Sequence, residues 1–310
     1  MDYQQFVEEQ IRVIRQTVGG GRAINALSGG VDSSVVTVLG HRALGDRLKT
    51  VFIDNALMRE GEPERVVTTF AEMGIPVELI DARAEFLAAL AGLTDPEQKR
   101  NAITATFYGR VFGRLVREKD ARFLLHGTIL TDIEETVSGI KRQHNILAQL
   151  GIDPEKQYGY QVLEPLATLR KDAVREVARV LRLPDSITKR IPFPGPALAA
   201  RIVGEVTPER VATVRAATAI VEEELGDSGV FQYMAVLLAD KATGIRDGRR
   251  EFGQIVVVRC VDSVDAREAS VVELPWERLR RICQRITSIP GVNRCLYDLT
   301  PKPPATIEYV

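Results

Sequence analysis

A loop of small residues between an apolar run and a helix-like stretch constrains the fold of this chain more than any other feature. The apolar run ends in Ala26-Leu27, and the phosphate loop, Ser28-Gly29-Gly30-Val31-Asp32-Ser33-Ser34, follows it. At a helix start the first N–H groups lack intrahelical acceptors, the helix dipole favours an anion, and glycine lets a ligand approach the backbone. The pattern therefore predicts a strand, a phosphate-binding loop and a helix in succession.

The residues of the phosphate loop also indicate its kind. No Gly-Lys-Ser/Thr follows the glycines, so the loop differs from the kinase-type phosphate loop. Asp32 would repel a phosphate unless a divalent cation lay between them, which implies Mg²⁺ with oxygen ligands. A plain helix start capped by Asp32 or Ser33 is the structural alternative. The loop resembles the PP-loop of ATP pyrophosphatases, which adenylate a substrate oxygen and release pyrophosphate.

Short apolar runs alternate with helical patterns over the first 125 residues. Apolar spacing predicts a helix over 3–18, ended by three glycines. The predicted strands are 23–27, 48–53, 77–80 and 123–125, and the helices between them are 33–45, 62–73 and 83–119. This alternation predicts a parallel α/β sheet, in which ligands bind outside the carboxyl ends of the strands. Asp54 and Gly127-Thr128 follow two of these strands and are candidate site residues.

The alternation ends near residue 190, where Ile191-Pro192-Phe193-Pro194-Gly195-Pro196 predicts a linker. We therefore expect two domains, 1–190 and 191–310. The second has a helix near 207–225, strands near 230–240 and 253–261, a helix at 276–288, and strands near 292–299 and 305–310. This order predicts a smaller α+β domain.

Composition limits the other function classes. The chain has 41 basic and 42 acidic residues, which argues against a general nucleic-acid partner. Residues 1–10 lack the basic and apolar regions of a signal peptide. The apolar run 86–93 is too short to span a bilayer. We therefore expect a cytoplasmic protein without membrane contact. The three cysteines are widely spaced and form no Cys-x-x-Cys pair, which predicts neither a disulfide framework nor a zinc site.

Further motifs carry a resemblance to a known family. They are Lys171-Asp172 with Val174-Arg175, Phe193-Pro194-Gly195-Pro196, Lys241-Ala242-Thr243-Gly244, and the ending 297–308, which contains Lys302-Pro303-Pro304-Ala305-Thr306-Ile307-Glu308. With the phosphate loop they make the whole chain similar to the ATP-pyrophosphatase part of GMP synthetases, in the form whose glutaminase is a separate polypeptide. The resemblance implies a PP-loop domain of the adenine nucleotide alpha hydrolase-like fold, followed by a smaller α+β dimerisation domain.

The resemblance implies a ligase reaction. Xanthosine monophosphate (XMP) would be adenylated at its C2 oxygen by MgATP, and ammonia would displace AMP to give GMP. The carbonyl oxygen is a poor leaving group until it is adenylated, and a loop that binds phosphates can stabilise the departing pyrophosphate. Ammonia would come from the separate glutaminase subunit, and the second domain would form a homodimer.

The resemblance also implies roles for individual residues. The expected ATP-binding residues are Ser28, Gly29, Gly30, Val31, Asp32, Ser33, Ser34, Asp54, Gly127 and Thr128, with the acidic Asp132 and Glu135 after them. Asp32 would also bind the metal, and the expected catalytic residues are Asp32, Lys141 and His144, the last two on a mobile lid. The expected XMP-binding residues are Arg201, Lys302, Thr306, Ile307 and Glu308.

The chain departs from the family pattern at three places. The lid reads Lys141-Arg142-Gln143-His144-Asn145 where the family has Lys-Ser-His-His-Asn, and glutamine cannot carry a proton near neutral pH. Pro196-Ala197-Leu198 replaces Pro-Gly-Leu, where the backbone needs a glycine if φ is positive. At the third place Asp265-Ala266-Arg267-Glu268-Ala269 stands where the family has Asp-x-Met-Thr-Ala, so that two charged residues replace an apolar residue and a hydroxyl. These changes leave two alternatives open: a PP-loop enzyme that adenylates another acceptor, and a non-catalytic paralogue that binds nucleotide.

Overall fold

A computed structural model of the protein describes residues 1–137, 159–264 and 266–310. The chain forms two compact units that are discontinuous in sequence. Unit 1 comprises Met1–Asp54, Pro63–Ala82 and Thr104–Arg190, and unit 2 comprises Asn55–Glu62, Arg83–Ile103 and Ile191–Val310. The predicted boundary at 190/191 does not anticipate the two early segments of unit 2, and as a division between functional domains it stays a prediction.

The described elements are numbered in chain order. The helices are α1 Tyr3–Val18, α2 Val31–Leu44, α3 Glu62–Glu72, α4 Arg83–Leu90, α5 Pro96–Ala105, α6 Gly113–Glu118, α7 Leu130–Val137, α8 Lys171–Val180, α9 Asp185–Thr188, α10 Pro208–Leu225 and α11 Trp276–Thr287. The strands are β1 Ala23–Ala26, β2 Leu48–Asp54, β3 Val77–Asp81, β4 Phe123–Leu125, β5 Gln161–Leu163, β6 Gln232–Arg246, β7 Arg249–Asp262, β8 Ser270–Val271 and β9 Val292–Tyr297.

The sheet of unit 1 is parallel and has the strand order β3-β2-β1-β4-β5. Ala23 of β1 pairs with Leu48 on one side and with Phe123 on the other, so β1 is the central strand. A buried cluster that includes Val35, Leu39 and Val174 packs helices against it. The strand order reverses between β1 and β4, and loops at such a point bind ligands in open α/β sheets. The predicted parallel α/β fold is confirmed.

The long helix predicted over 83–119 is wrong as one element. It is divided into α4, α5, a π-helical segment Thr106–Phe112 and α6. Gly92 has a φ of 74°, and Asp95 Oδ1 accepts from the N–H of Gln98 at 2.9 Å, so a turn separates α4 from α5. The sequence analysis also missed β5, because three residues with no long apolar run give little strand signal.

Unit 2 contains a sheet built on the long hairpin of β6 and β7. Asp247 and Gly248 connect the strands with φ values of 51° and 73°, as the Asp-Gly pair favours. β8 pairs antiparallel with β7, and β9 pairs with β7 in parallel. The α+β expectation for this part is confirmed, but the strand predicted over 305–310 is wrong: those residues form no regular element and follow a single bridge between Ala269 and Lys302.

Among the described residues no group of three or more His, Cys, Asp or Glu side chains could hold a metal. Burial raises the pKa of the Cys260 thiol to about 11 and that of Cys295 to about 12, which makes both thiols unreactive near neutral pH. In these same ranges no helix has the length and apolar character needed to cross a bilayer.

Candidate functional site

The phosphate loop lies between the carboxyl end of β1 and the start of α2. Gly29 has a φ of 75°, which L side chains rarely adopt, and this lets the chain turn sharply. Gly30 precedes α2 and provides no side-chain acceptor for the first turn. The first N–H groups of the helix, from Val31 to Ser33, therefore point beyond its end, where an anion could accept from them.

Two serine hydroxyls shape the loop from inside. Ser33 Oγ lies 2.9 Å from Ser28 Oγ and accepts from the N–H of Ser28 at 3.2 Å. Ser33 Oγ also lies 3.0 Å from the carbonyl oxygen of Gly30, to which it donates. These bonds fold the loop back on the helix start and fix its shape through its own side chains.

Gly127 and Thr128 follow β4 and lie beside the loop. A Cβ at Gly127 would lie 3.2 Å from Ser33 N and 3.3 Å from the carbonyl carbon of Asp32, so only glycine fits here without displacement. The Thr128 hydroxyl donates to Glu164 Oε1 at 2.6 Å, and His126 Nδ1 lies 2.8 Å from Thr128 Oγ1. The structure thus brings together the two segments that the sequence predicted at adjacent strand ends.

Two cations, which the sequence analysis did not place in the site, contact the phosphate loop. Lys171, at the start of α8, has its Nζ 2.5 Å from Asp32 Oδ2. Arg190 donates to the carbonyl oxygen of Gly29 at 2.8 Å. The sequence contained a signal for Lys171, because this residue opens an amphipathic helix and belongs to the Lys171-Asp172 motif of the family.

For the remaining expected site residues the structure gives backbone contacts or no description. Asp54 ends β2, and its carbonyl oxygen accepts from the N–H of Ala82 at 2.9 Å. Asp132 Oδ2 accepts from the N–H of Ile129 at 3.0 Å, which fixes the start of α7. Lys141 and His144, and the Glu135 side chain, lie outside the described residues.

In unit 2 two of the residues expected to bind a nucleotide monophosphate, Arg201 and Glu308, lie together in a cluster around the buried Arg201 side chain. Arg201 is 1% exposed, and its Nε and Nη2 lie 3.2 and 3.1 Å from the two carboxylate oxygens of Glu308. Gln232 donates to Glu308 Oε1 at 2.6 Å. The guanidinium carbons of Arg201 and Arg59 lie 4.9 and 4.1 Å from the centre of the Phe193 ring. Phe193 of the predicted linker is therefore part of this cluster.

The other expected residues belong to the carboxy-terminal tail, residues 298–310. Lys302 Nζ donates to the carbonyl oxygen of Ala266 at 2.6 Å, and the Thr306 hydroxyl donates to the carbonyl oxygen of Glu308. Ile307 packs against a small apolar cluster of β6 and β7. The structure therefore brings Arg201 and Glu308 together, whereas Lys302 and Thr306 bond to nearby backbone.

Arg259, a residue the sequence analysis missed, holds this tail. It is fully buried in β7, and its guanidinium donates to Asp298 Oδ2 at 2.7 Å and to the carbonyl oxygens of Thr300, Thr306 and Ile307 at 2.7, 3.0 and 3.2 Å. Burial opposes ionisation of Asp298, but hydrogen bonds from Thr300 and Tyr309 and the charge of Arg259 hold its pKa below the usual value. A single charge in the apolar run 256–260 was the available signal.

Ala197 has the backbone conformation that its replacement of a glycine implied. It is 1% exposed and has a φ of 53° at the start of the short 3-10 helix Ala197–Arg201. Its backbone is in the left-handed region, which is unfavourable for an L residue other than glycine. The turn that carries Arg201 is therefore strained at its first residue.

Comparison with known proteins gives one family match near the amino terminus of the chain and another near its carboxy terminus. Residues 3–111 match the family described as NAD synthase, and residues 219–309 match the family described as GMP synthase C terminal domain. An NH3-dependent NAD synthetase from Campylobacter jejuni is similar with a TM-score of 0.47 and 18% identity, over 61% of this chain and 77% of that chain. The parallel sheet, the phosphate loop and the family match over residues 3–111 define a PP-loop protein.

The relatives identify the family. The B subunit of a glutamine-hydrolyzing GMP synthase from Archaeoglobus fulgidus is 53% identical over 310 residues and 100% of both chains. The protein of the same description from Methanopyrus kandleri is 50% identical over 99% of both chains. The chain belongs to the family of GMP synthase B subunits, whose members are ligases.

Proposed function

We propose that this protein catalyses the ATP-dependent amination of XMP to GMP through an adenyl-XMP intermediate, releasing AMP and pyrophosphate. The observation that carries this proposal is the geometry of the phosphate loop. No side chain caps the N–H groups at the start of α2, and Gly127, which has no Cβ, places no side chain against Ser33 N in the first turn of that helix. This arrangement suits a polyphosphate, which needs several N–H donors converging from one side.

In this proposal ATP binds at residues 28–34, with Gly127 and Thr128 beside it. The N–H groups of the first turn of α2 would donate to phosphate oxygens, and the Ser28 hydroxyl, whose proton is donated to Ser33 Oγ, would hold the loop in shape around them. Lys171 lies within reach of the same loop and would offset negative charge that develops on the departing pyrophosphate. The Thr128 hydroxyl donates to Glu164 and accepts from His126 Nδ1, and these two bonds orient its side chain at the end of β4.

Asp32 fits a divalent cation at the loop. Asp32 Oδ2 pairs with Lys171, but Oδ1 is buried and has no hydrogen-bond partner in the described part of the chain. A hard carboxylate oxygen in this state is a suitable ligand for Mg²⁺. Bound there, Mg²⁺ would neutralise phosphate charge, and Asp32 would hold it.

The acceptor nucleotide would bind in unit 2. Arg201 has the fixed donor geometry that suits a phosphate or carboxylate, and Glu308 and Gln232 offer both acceptors and donors for the polar edge of a purine base. Lys302, Thr306 and Ile307 of the tail are the further proposed contacts. Since Glu308 is paired with Arg201, XMP binding would exchange that ion pair for contacts with the nucleotide.

The proposal also includes the source of ammonia and the assembly. The relatives are described as the B subunits of glutamine-hydrolyzing enzymes, which supports a separate glutaminase subunit as the ammonia donor. We propose homodimerisation through unit 2, and for Lys141 and His144 a role in covering the reacting phosphates.

The proposal is tested by pyrophosphate release from MgATP and ammonium, with and without XMP, while GMP is followed by chromatography. We expect XMP-dependent release with an equal amount of GMP. ATP binding without XMP-dependent turnover would contradict the proposal and favour another acceptor.

Asp32→Asn tests the role of the loop carboxylate. It should lower turnover by a factor of about 100 or more because the metal ligand is weakened. Asp46→Asn is the matched control, since Asp46 lies in a turn before β2, away from the phosphate loop in sequence, and should leave turnover unchanged.

A further inference from the structure

A chain of hydrogen bonds runs from the interior of β1 to the first turn of α2. Asn25 is 1% exposed, and its Nδ2 lies 2.6 Å from Thr37 Oγ1, which is also buried. Thr37 Oγ1 lies 2.8 Å from the carbonyl oxygen of Ser33. The path therefore begins in the centre of the sheet and ends on a residue of the phosphate loop.

The direction of these bonds follows from the groups involved. The Ser33 carbonyl oxygen can only accept, so the single hydroxyl proton of Thr37 is donated to it. Thr37 Oγ1 must then accept from Asn25, which places the amide nitrogen of Asn25, not its oxygen, towards Thr37. The hydrogen bonds can therefore run in only one direction, from the Asn25 amide through the Thr37 hydroxyl to the Ser33 carbonyl oxygen.

Ser33 transmits this path to the rest of the loop. Its hydroxyl contacts Ser28 N, Ser28 Oγ and the Gly30 carbonyl oxygen, so its position fixes both ends of the turn before α2. A shift of Ser33 would move the loop hydroxyls together with the N–H groups of the first helical turn.

The pair is costly for the core in which it lies. Asn25 Oδ1 is buried without a hydrogen-bond partner in the ranges that the structure describes, and the residues on either side of it in β1, Ile24 and Ala26, are apolar. Packing alone would be served better by apolar residues at both positions, because a buried polar group without a partner destabilises the fold. Packing therefore does not explain the pair, and the group that it holds is the Ser33 carbonyl oxygen in the first turn of α2.

We propose that Asn25 and Thr37 are positioning residues that hold the first turn of α2 in the geometry that binds the phosphates of ATP. This inference rests on the proposed function of the loop. Neither side chain contacts the nucleotide in this proposal; both act through Ser33.

Three variants separate positioning from stability. Thr37→Ser keeps the hydroxyl, Thr37→Val removes it at nearly constant shape, and the double variant Asn25→Leu/Thr37→Val removes both polar groups. The double variant should recover the denaturation midpoint that Thr37→Val loses, because no buried amide is left without its partner. Thr69→Val is the matched control, since the Thr69 hydroxyl makes the same kind of bond, to the carbonyl oxygen of Arg65 at 2.8 Å, in α3.

The readouts are the KM for MgATP and kcat of XMP-dependent pyrophosphate release, and the affinity for magnesium pyrophosphate by calorimetry. We expect Thr37→Val and the double variant each to raise KM and weaken pyrophosphate binding about 10-fold. Thr37→Ser and Thr69→Val should stay within about 2-fold of the wild type.

Recovery of both affinity and midpoint in the double variant would overturn the proposal, since the pair would then act on stability alone. Unchanged pyrophosphate binding in Thr37→Val would overturn it as well. Pyrophosphate binding is measured without XMP, so the comparison holds even where the wild type fails to make GMP, which would contradict the proposed function instead.

Discussion

The phosphate loop and the carboxy-terminal tail are built on opposite principles. The loop consists of short side chains and backbone N–H groups, and the bonds among Ser28, Gly30 and Ser33 span at most five residues. The tail is held by long, buried cations: Arg259 bonds to residues 39 to 48 positions away, and Arg201 to a residue 107 positions away. Changes in the loop should therefore affect ligand binding more than stability, whereas changes at the tail should affect stability first.

The largest expected effect tests the tail. Arg259→Met removes the cation that pairs with the partly buried Asp298 carboxylate, which keeps only its bonds from Thr300 and Tyr309, and it leaves three carbonyl oxygens without this donor. It should lower the free energy of unfolding by about 3–5 kcal/mol. Denaturant unfolding measures this. Arg278→Met is the control, because its pair with Asp227 at 3.4 Å is exposed and should change stability by less than about 1 kcal/mol. Equal effects of the two variants would remove the contrast between tail and loop.

Lys99 extends the comparison to a third buried cation of unit 2. Its Nζ donates to the carbonyl oxygen of Ile202 at 2.7 Å, and burial, followed by the charge of Arg210, lowers its pKa to about 8. Between pH 8 and 10.5 the unfolded chain keeps a proton on Lys99 that the folded protein has lost. Stability should therefore rise with pH across this window, by on the order of 3 kcal/mol.

Lys99→Met should remove that rise. Stability of both proteins is measured by denaturant unfolding at intervals across the window, and the difference between the two curves cancels the other groups that titrate there. Parallel curves would show that Lys99 keeps its ordinary pKa in the folded protein.

Gly127→Ala tests the loop. A Cβ 3.2 Å from Ser33 N must displace the first turn of α2 by a few tenths of an ångström, and we expect the KM for MgATP to rise about 10-fold with little change in unfolding. Gly20→Ala is the matched control, because a Cβ there meets nothing within 4 Å. A large loss of stability in Gly127→Ala, without a change in KM, would break the proposed division between the two regions.

The smallest effect is expected at Ala197. Ala197→Gly relieves the strain of a left-handed alanine but removes a buried methyl group, and the two effects oppose each other. The free energy of unfolding should therefore fall by no more than about 0.5 kcal/mol, or rise. Ala200→Gly, in the same turn and equally buried, has no such strain to relieve and should lose about 1 kcal/mol. A similar loss in both variants would show that the positive φ of Ala197 carries no cost.

The same contrast explains what could be predicted from the sequence. The phosphate loop, the parallel sheet and the approach of Gly127-Thr128 were predictable because strand, turn and helix signals are local. The tail was assigned a strand over 305–310 because its apolar residues were read without Arg259, whose bonds satisfy the carbonyl oxygens that a neighbouring strand would have paired.

The contacts of other site residues were not predictable, because their partners lie far away in the sequence. Lys171 and Arg190 contact the loop across 139 and 161 residues, and Gln232 contacts Glu308 across 76. Spacing along a chain does not reveal such approaches. The family resemblance named Arg201 and Glu308 as site residues, but only the structure showed that they pair with each other.

The discontinuity of unit 2 has a consequence for synthesis on the ribosome. Its first two segments, Asn55–Glu62 and Arg83–Ile103, emerge long before the third, Ile191–Val310. Arg59 is synthesised before Glu222, its ion-pair partner at 2.8 Å, and Lys99 is synthesised before Ile202, whose carbonyl oxygen it binds. About one hundred residues therefore leave the ribosome while two cations destined for the interior remain in water, and a chain that stops at 190 keeps both segments without the partners that bury them.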